Sequence, residues 1–129
     1  MAQPSLRLDR VAGDYCVCRL DPGADPAPRD QDAGLHSVTW TAEETSVVCR
    51  SDRAPEGVRT EGPFAALRVA GTLAFSLTGV LSGLTGALAT GGVNVFAIST
   101  YDTDYLLVPK DRLGPAAERL REAGHEVFI

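Results

Sequence analysis

Residues 93–108, VNVFAISTYDTDYLLV, decide the fold. Two apolar runs, 93–100 and 105–108, flank the corner Tyr101-Asp-Thr-Asp104. Asp side chains hydrogen-bond their own backbone and favour turns, so the stretch reads as two antiparallel strands with a tight connection. The first strand is apolar on both faces, with Val95 and Ala97 on one and Phe96 and Ile98 on the other. Such a strand needs two covering layers or a central place in a larger sheet. It is expected to pack, together with the preceding helix, on another part of the chain or on a second copy.

Working outward, residues 80–90 predict a helix, with Val80, Leu81, Leu84 and Leu88 on one stripe. Ser76 or Thr78 is its expected cap and Gly91-Gly92 its stop. Gly83 and Gly86 inside it each cost about 1 kcal/mol against alanine, which suggests a close approach to a neighbouring element. Residues 64–69 read as the preceding strand. On the other side, 111–123 reads as a helix that turns Leu113, Ala117 and Leu120 inward, with Pro115 in its first turn and Gly124 as its stop. Residues 125–129 form the last strand. The order is β-α-β-β-α-β, the ferredoxin-like split βαβ.

Residues 15–63 give a degraded copy. Strands are expected at 15–20, 36–41 and 45–50, the last two joined by the corner Ala42-Glu43-Glu44. A stretch rich in Pro, Asp and Gly, 21–34, stands where the first helix would be. The predicted fold is α+β, with two ferredoxin-like modules, 1–62 (degenerate) and 63–129, and helices packed on antiparallel sheets.

The balance of 12 basic against 17 acidic residues leaves a net charge of −5, which disfavours nucleic acid and anionic membrane surfaces as partners. The low-charge stretch 69–101 is broken by glycines and does not read as a membrane span. Residues 1–10 lack the apolar core of a secretory signal. An odd cysteine count, Cys16, Cys18 and Cys49, argues against a disulfide framework. The expected compartment is the cytoplasm, with these thiols reduced, mostly buried and metal-free. Cys16 and Cys18 share a strand face, but zinc asks for about four ligands, and only Cys49, His36 and His125 remain to supply them.

No phosphate-loop, nucleophile-elbow or metalloprotease pattern occurs. Asp102 and Asp104 admit an acid/base or metal reading beside the turn reading. No catalytic residue, metal ligand or cofactor is assigned. What remains functional is the start of the 80–90 helix, where free N–H groups can hold a carboxylate.

Several strings carry a resemblance: Phe75-Ser-Leu-Thr-Gly79, the helix with Leu81 and Leu84, Gly92-Val-Asn-Val95, residues 96–108, and more loosely Gly13-Asp-Tyr15. In these the chain resembles ACT-domain proteins, more narrowly small bacterial tandem-ACT proteins related to the animal cytosolic arginine sensors and to aspartate kinase regulatory domains. The resemblance implies a non-enzymatic sensor of a free amino acid or similar small metabolite, acting through oligomer or partner changes, with a homodimer expected. The alternative is a structural or interaction protein that kept the fold and lost the ligand. Carried onto this chain, the ligand positions are Ser76, Leu77, Thr78, Gly79 and Val80, then Asn94 and Val95, then Ile98, Ser99 and Thr100. Asn94 is expected beside the helix start, as donor and acceptor.

Overall fold

The computed structural model describes residues 5–26, 34–71, 73 and 78–129. The elements are β1 (Arg7–Leu20), β2 (Ser37–Trp40), β3 (Thr45–Arg50), β4 (Arg59–Val69), α1 (Val80–Thr90), β5 (Phe96–Ser99), β6 (Asp104–Pro109), α2 (Leu113–Glu122) and β7 (Glu126–Phe128). They form two compact units, Met1–Arg10 with Ala65–Ile129, and Val11–Phe64.

The first unit contains the expected succession β4-α1-β5-β6-α2-β7, a mixed α/β arrangement on a mainly antiparallel sheet. Strand order is β7-β1-β4-β6-β5. Every second residue of β4, Ala65, Leu67 and Val69, joins Leu106 and Val108 of β6 in one apolar layer. Val80, Leu84 and Leu88 of α1 and Leu113, Ala116, Ala117 and Leu120 of α2 cover it. Both helices end by the same device. The N–H of Val93 bonds Leu88 O at 3.1 Å, and that of His125 bonds Leu120 O at 3.1 Å. Each bond reaches back over a glycine with positive φ, Gly92 or Gly124.

Five expectations need correction. The sheet is not wholly antiparallel, because β7 pairs in parallel with the first residues of β1, Leu8 opposite Val127. Leu8 is fully buried there, so residues 7–9 already belong to a strand, ahead of the expected start at 15. The strand expected over 93–100 is shorter and lies at the sheet edge, with β6 as its neighbour. Phe96 is 39% exposed and Ile98 half-buried, so the second apolar face of β5 is not consumed among the described residues. The cap of α1 is neither Ser76 nor Thr78 but Gly79, in the left-handed region at φ 80° and with no side-chain bond. Ser76 lies outside the described residues. Gly86 marks no close approach, since a Cβ there would meet open space.

The second unit orders its strands β2-β3-β1-β4. The hairpin corner is as expected. Thr41 N–H bonds Glu44 O at 2.9 Å, and the Thr41 hydroxyl accepts from the N–H groups of Glu43 and Glu44. Cys16, Cys18, Leu20, Val47 and Cys49 make its core. All three cysteines are buried and unbridged. Of the Pro-rich stretch, residues 27–33 lie outside the described residues.

His125 ties β7 to the chain start. Its Nδ1 accepts the Leu6 N–H at 3.1 Å, and burial lowers its pKa below the usual 6.5. The unfolded chain therefore binds a proton that the fold resists, so this contribution to stability is complete above about pH 6.5 and is lost as pH falls below it. Urea midpoints at pH 7, 6 and 5 are expected to fall, and His125→Gln to flatten that slope. An unchanged slope in the variant would assign the acid sensitivity to other groups.

Candidate functional site

The concavity that gathers the functional candidates lies in the first unit, at the start of α1. It measures about 270 Å³ and is lined by Leu73, Gly79 to Ser82 and Ser99 to Asp104. That is small for a ligand pocket and suits a single metabolite better than a nucleotide.

One wall is the N-terminus of α1. The first intrahelical bond is made by the Gly83 N–H, to Gly79 O at 2.9 Å. The N–H groups of Val80, Leu81 and Ser82 precede it and have no partner within the helix. No side chain caps them among the described residues, and no acidic residue occupies the first turn. The partial positive charge of the helix start is therefore open to an anion.

The opposite wall is the β5–β6 turn. Thr100 builds it, with its N–H on Thr103 O at 2.8 Å and its hydroxyl accepting the Thr103 N–H at 3.2 Å. Thr103, buried, anchors the turn by donating its hydroxyl to Val69 O at 2.7 Å. The N–H of Leu73 bonds Asp102 O at 2.7 Å, fastening Leu73 to the same turn. Asp104 accepts the Ser99 hydroxyl at 2.5 Å. Among the described residues the lining carries two carboxylates, Asp102 and Asp104, and no Lys or Arg.

The expected site residues are thus brought together only in part. Gly79, Val80, Ser99 and Thr100 line the cavity. Thr78 is exposed beside it, and Ser76 and Leu77 lie outside the described residues. Ile98 is not in the lining. Asn94 and Val95 follow Gly92 at the other end of α1, whose eleven residues span about 16 Å. The chain needs all of β5 to return to the helix start, so Asn94 cannot face Gly79. The sequence marks Tyr101 to Asp104 as a turn, and the structure makes them cavity lining as well. Their signal was the antiparallel return itself, which puts the end of β5 beside the beginning of α1.

An ACT domain profile matches residues 59–122, and a second profile, of an N-terminal domain, matches 13–57. In addition, the crystal structure of a protein from Agrobacterium tumefaciens is 35% identical, with a TM-score of 0.87 over 98% of this chain and 94% of that one. The chain belongs to the ACT-domain family. A Vibrio cholerae protein of unknown function, described as a possible transport protein, resembles this ACT protein at 20% identity and TM-score 0.69, over 92% and 90% of the two chains. The regulatory subunit of aspartate kinase from Thermus flavus shares the fold at 13% identity and TM-score 0.63, over 95% and 99%. No curated protein matches the chain.

Proposed function

We propose that this ACT protein is a non-catalytic regulatory protein that binds a free amino acid or a closely similar small zwitterion. One observation carries the reading: a helix N-terminus with no side-chain cap among the described residues faces two carboxylates across a small cavity. A free amino acid bears an anion and a cation a few bonds apart. Its carboxylate suits the N–H groups of Val80 to Ser82, and its ammonium suits Asp104 or Asp102. Ser99, Thr100 and Gly79 complete the contacts, and Asn94 and Val95 are left out of them. Screening the twenty amino acids by thermal shift tests this. One amino acid, or one chemical class of them, is expected to raise the melting temperature; no shift with any of them would favour the interaction protein that lost its ligand.

The two-module reading, 1–62 and 63–129, is supported by the two adjoining profile matches. Three unbridged thiols support a reducing compartment such as the cytoplasm. The output proposed is a change of oligomer or partner, with β5 as the contact of a homodimer. Its edge position leaves backbone groups unpaired on one side, and Phe96, Ala97 and Ile98 keep apolar surface there. Light scattering is expected to give a dimer for the wild type and a monomer for Phe96→Asp. A wild-type monomer at all concentrations would remove the homodimer.

A further inference from the structure

The second unit holds a feature that ligand sensing does not use. Cys16 and Cys18 lie two residues apart on one face of β1, and Cys49 of β3 is the direct cross-strand partner of Cys16. The Cys16 sulfur is 3.7 Å from that of Cys18 and 3.9 Å from that of Cys49. All three sulfurs lie within 4.8 Å of one another. We infer that Cys16, Cys18 and Cys49 form a three-thiolate site for one soft monovalent metal ion of the copper(I) class.

The geometry sets the size of the guest. An ion in the plane of three sulfurs with these separations lies about 2.2 to 2.5 Å from each, the length of a metal–thiolate bond. Continuous pairing of β1 with β3, from Tyr15 opposite Arg50 to Leu20 opposite Thr45, holds the triangle in place. The donors are all sulfur, which selects copper(I), zinc or iron–sulfur clusters. Iron–sulfur clusters ask for four cysteines. Structural zinc asks for a fourth ligand, and no His, Asp or Glu joins the cluster among the described residues. The thiols are at most 2% exposed, so a water is poorly placed to stand in. A three-coordinate soft ion fits what remains.

Cys18, itself fully buried, borders a surface cavity of about 240 Å³ whose lining includes Thr60, Arg19 and Arg59 together with Glu44 and Glu61. Each thiol that ligates releases its proton to solvent, and copper enters and stays as copper(I), so no electron is transferred. Burial raises the Cys16 thiol strongly and Cys49 to about 11. A copper-binding triad departs from the expectation of metal-free core cysteines, and the titration below decides between them. Sequence spacing showed the Cys16/Cys18 pair but not that β3 delivers Cys49 beside it.

The test is an anaerobic titration of the reduced, metal-free full chain with copper(I) against bathocuproine disulfonate. One copper per chain is expected, with a sulfur-to-copper ultraviolet band. X-ray absorption is expected to show three sulfurs at about 2.2 to 2.3 Å. Cys16→Ser and Cys49→Ser are each expected to weaken binding by about a hundredfold, the equivalent of about 2.7 kcal/mol. The sulfur count on the wild type stands independently of whether a variant folds. Failure to take copper from the chelator, a count of two sulfurs, unchanged affinity in both variants, or preferential retention of four-coordinate zinc would each overturn the site.

Discussion

Leu84→Ala is expected to lower the unfolding free energy by about 3 to 5 kcal/mol, the range for a leucine removed from a core that cannot collapse. Leu84 is fully buried, on the stripe of α1 that also carries Val80 and Leu88. Eleven residues are too few for a helix to persist alone in water, and Gly83 and Gly86 weaken this one further. Packing on β4 and β6 therefore holds α1, and the loss falls on the element that forms one wall of the candidate site. Domains have about 5 to 15 kcal/mol in total, so the variant sits near the edge of folding. Urea denaturation measures it: the midpoint falls while the slope stays as in the wild type. The exposed control Glu118→Ala is expected within about 0.5 kcal/mol of wild type. A loss below about 1 kcal/mol for Leu84→Ala would mean that the cavity is refilled.

Loss of the ligand-dependent thermal shift is expected for Gly79→Val and, more selectively, for Asp104→Asn. A ligand at a hundred times its Kd stabilises the fold by about 2.7 kcal/mol. Gly79 caps α1 at φ 80°, a conformation that a β-branched residue resists at a cost of about 1 to 3 kcal/mol. Its replacement both strains the cap and fills the approach to the N–H groups. Asp104→Asn keeps the shape and still accepts the Ser99 hydroxyl, but removes the charge offered to an ammonium. A charge-assisted bond contributes about 1.5 to 3 kcal/mol, so affinity should fall roughly tenfold to a hundredfold. Asn94→Leu, at the far end of α1, should leave the shift intact. If Asn94→Leu abolishes the shift and Asp104→Asn does not, the ligand lies elsewhere than the proposed cavity.

By itself the sequence determined the local elements and their succession. The stripe at Val80, Leu84 and Leu88 has the helical period, and the glycines after it can take the positive φ that ends a helix, so α1 was legible to the residue. The pairing of residues 45–50 with the preceding strand was legible too, because a corner of three residues, Ala42-Glu43-Glu44, leaves few other partners. Tertiary structure decided what depends on contacts remote in sequence. The parallel pairing of residues 7–9 with β7 links positions nearly 120 apart, and no local period announces such a partner. An edge strand and a central strand read alike when both faces are apolar, so only the sheet order places β5. The same reason separates the two sites. Composition offered Gly79, Asn94, Asp104 and three cysteines as candidates. The antiparallel return of β5 set Asp104, not Asn94, before the start of α1. Cross-strand register set Cys49 against Cys16, because pairing fixes which side chains meet while sequence fixes only which are available.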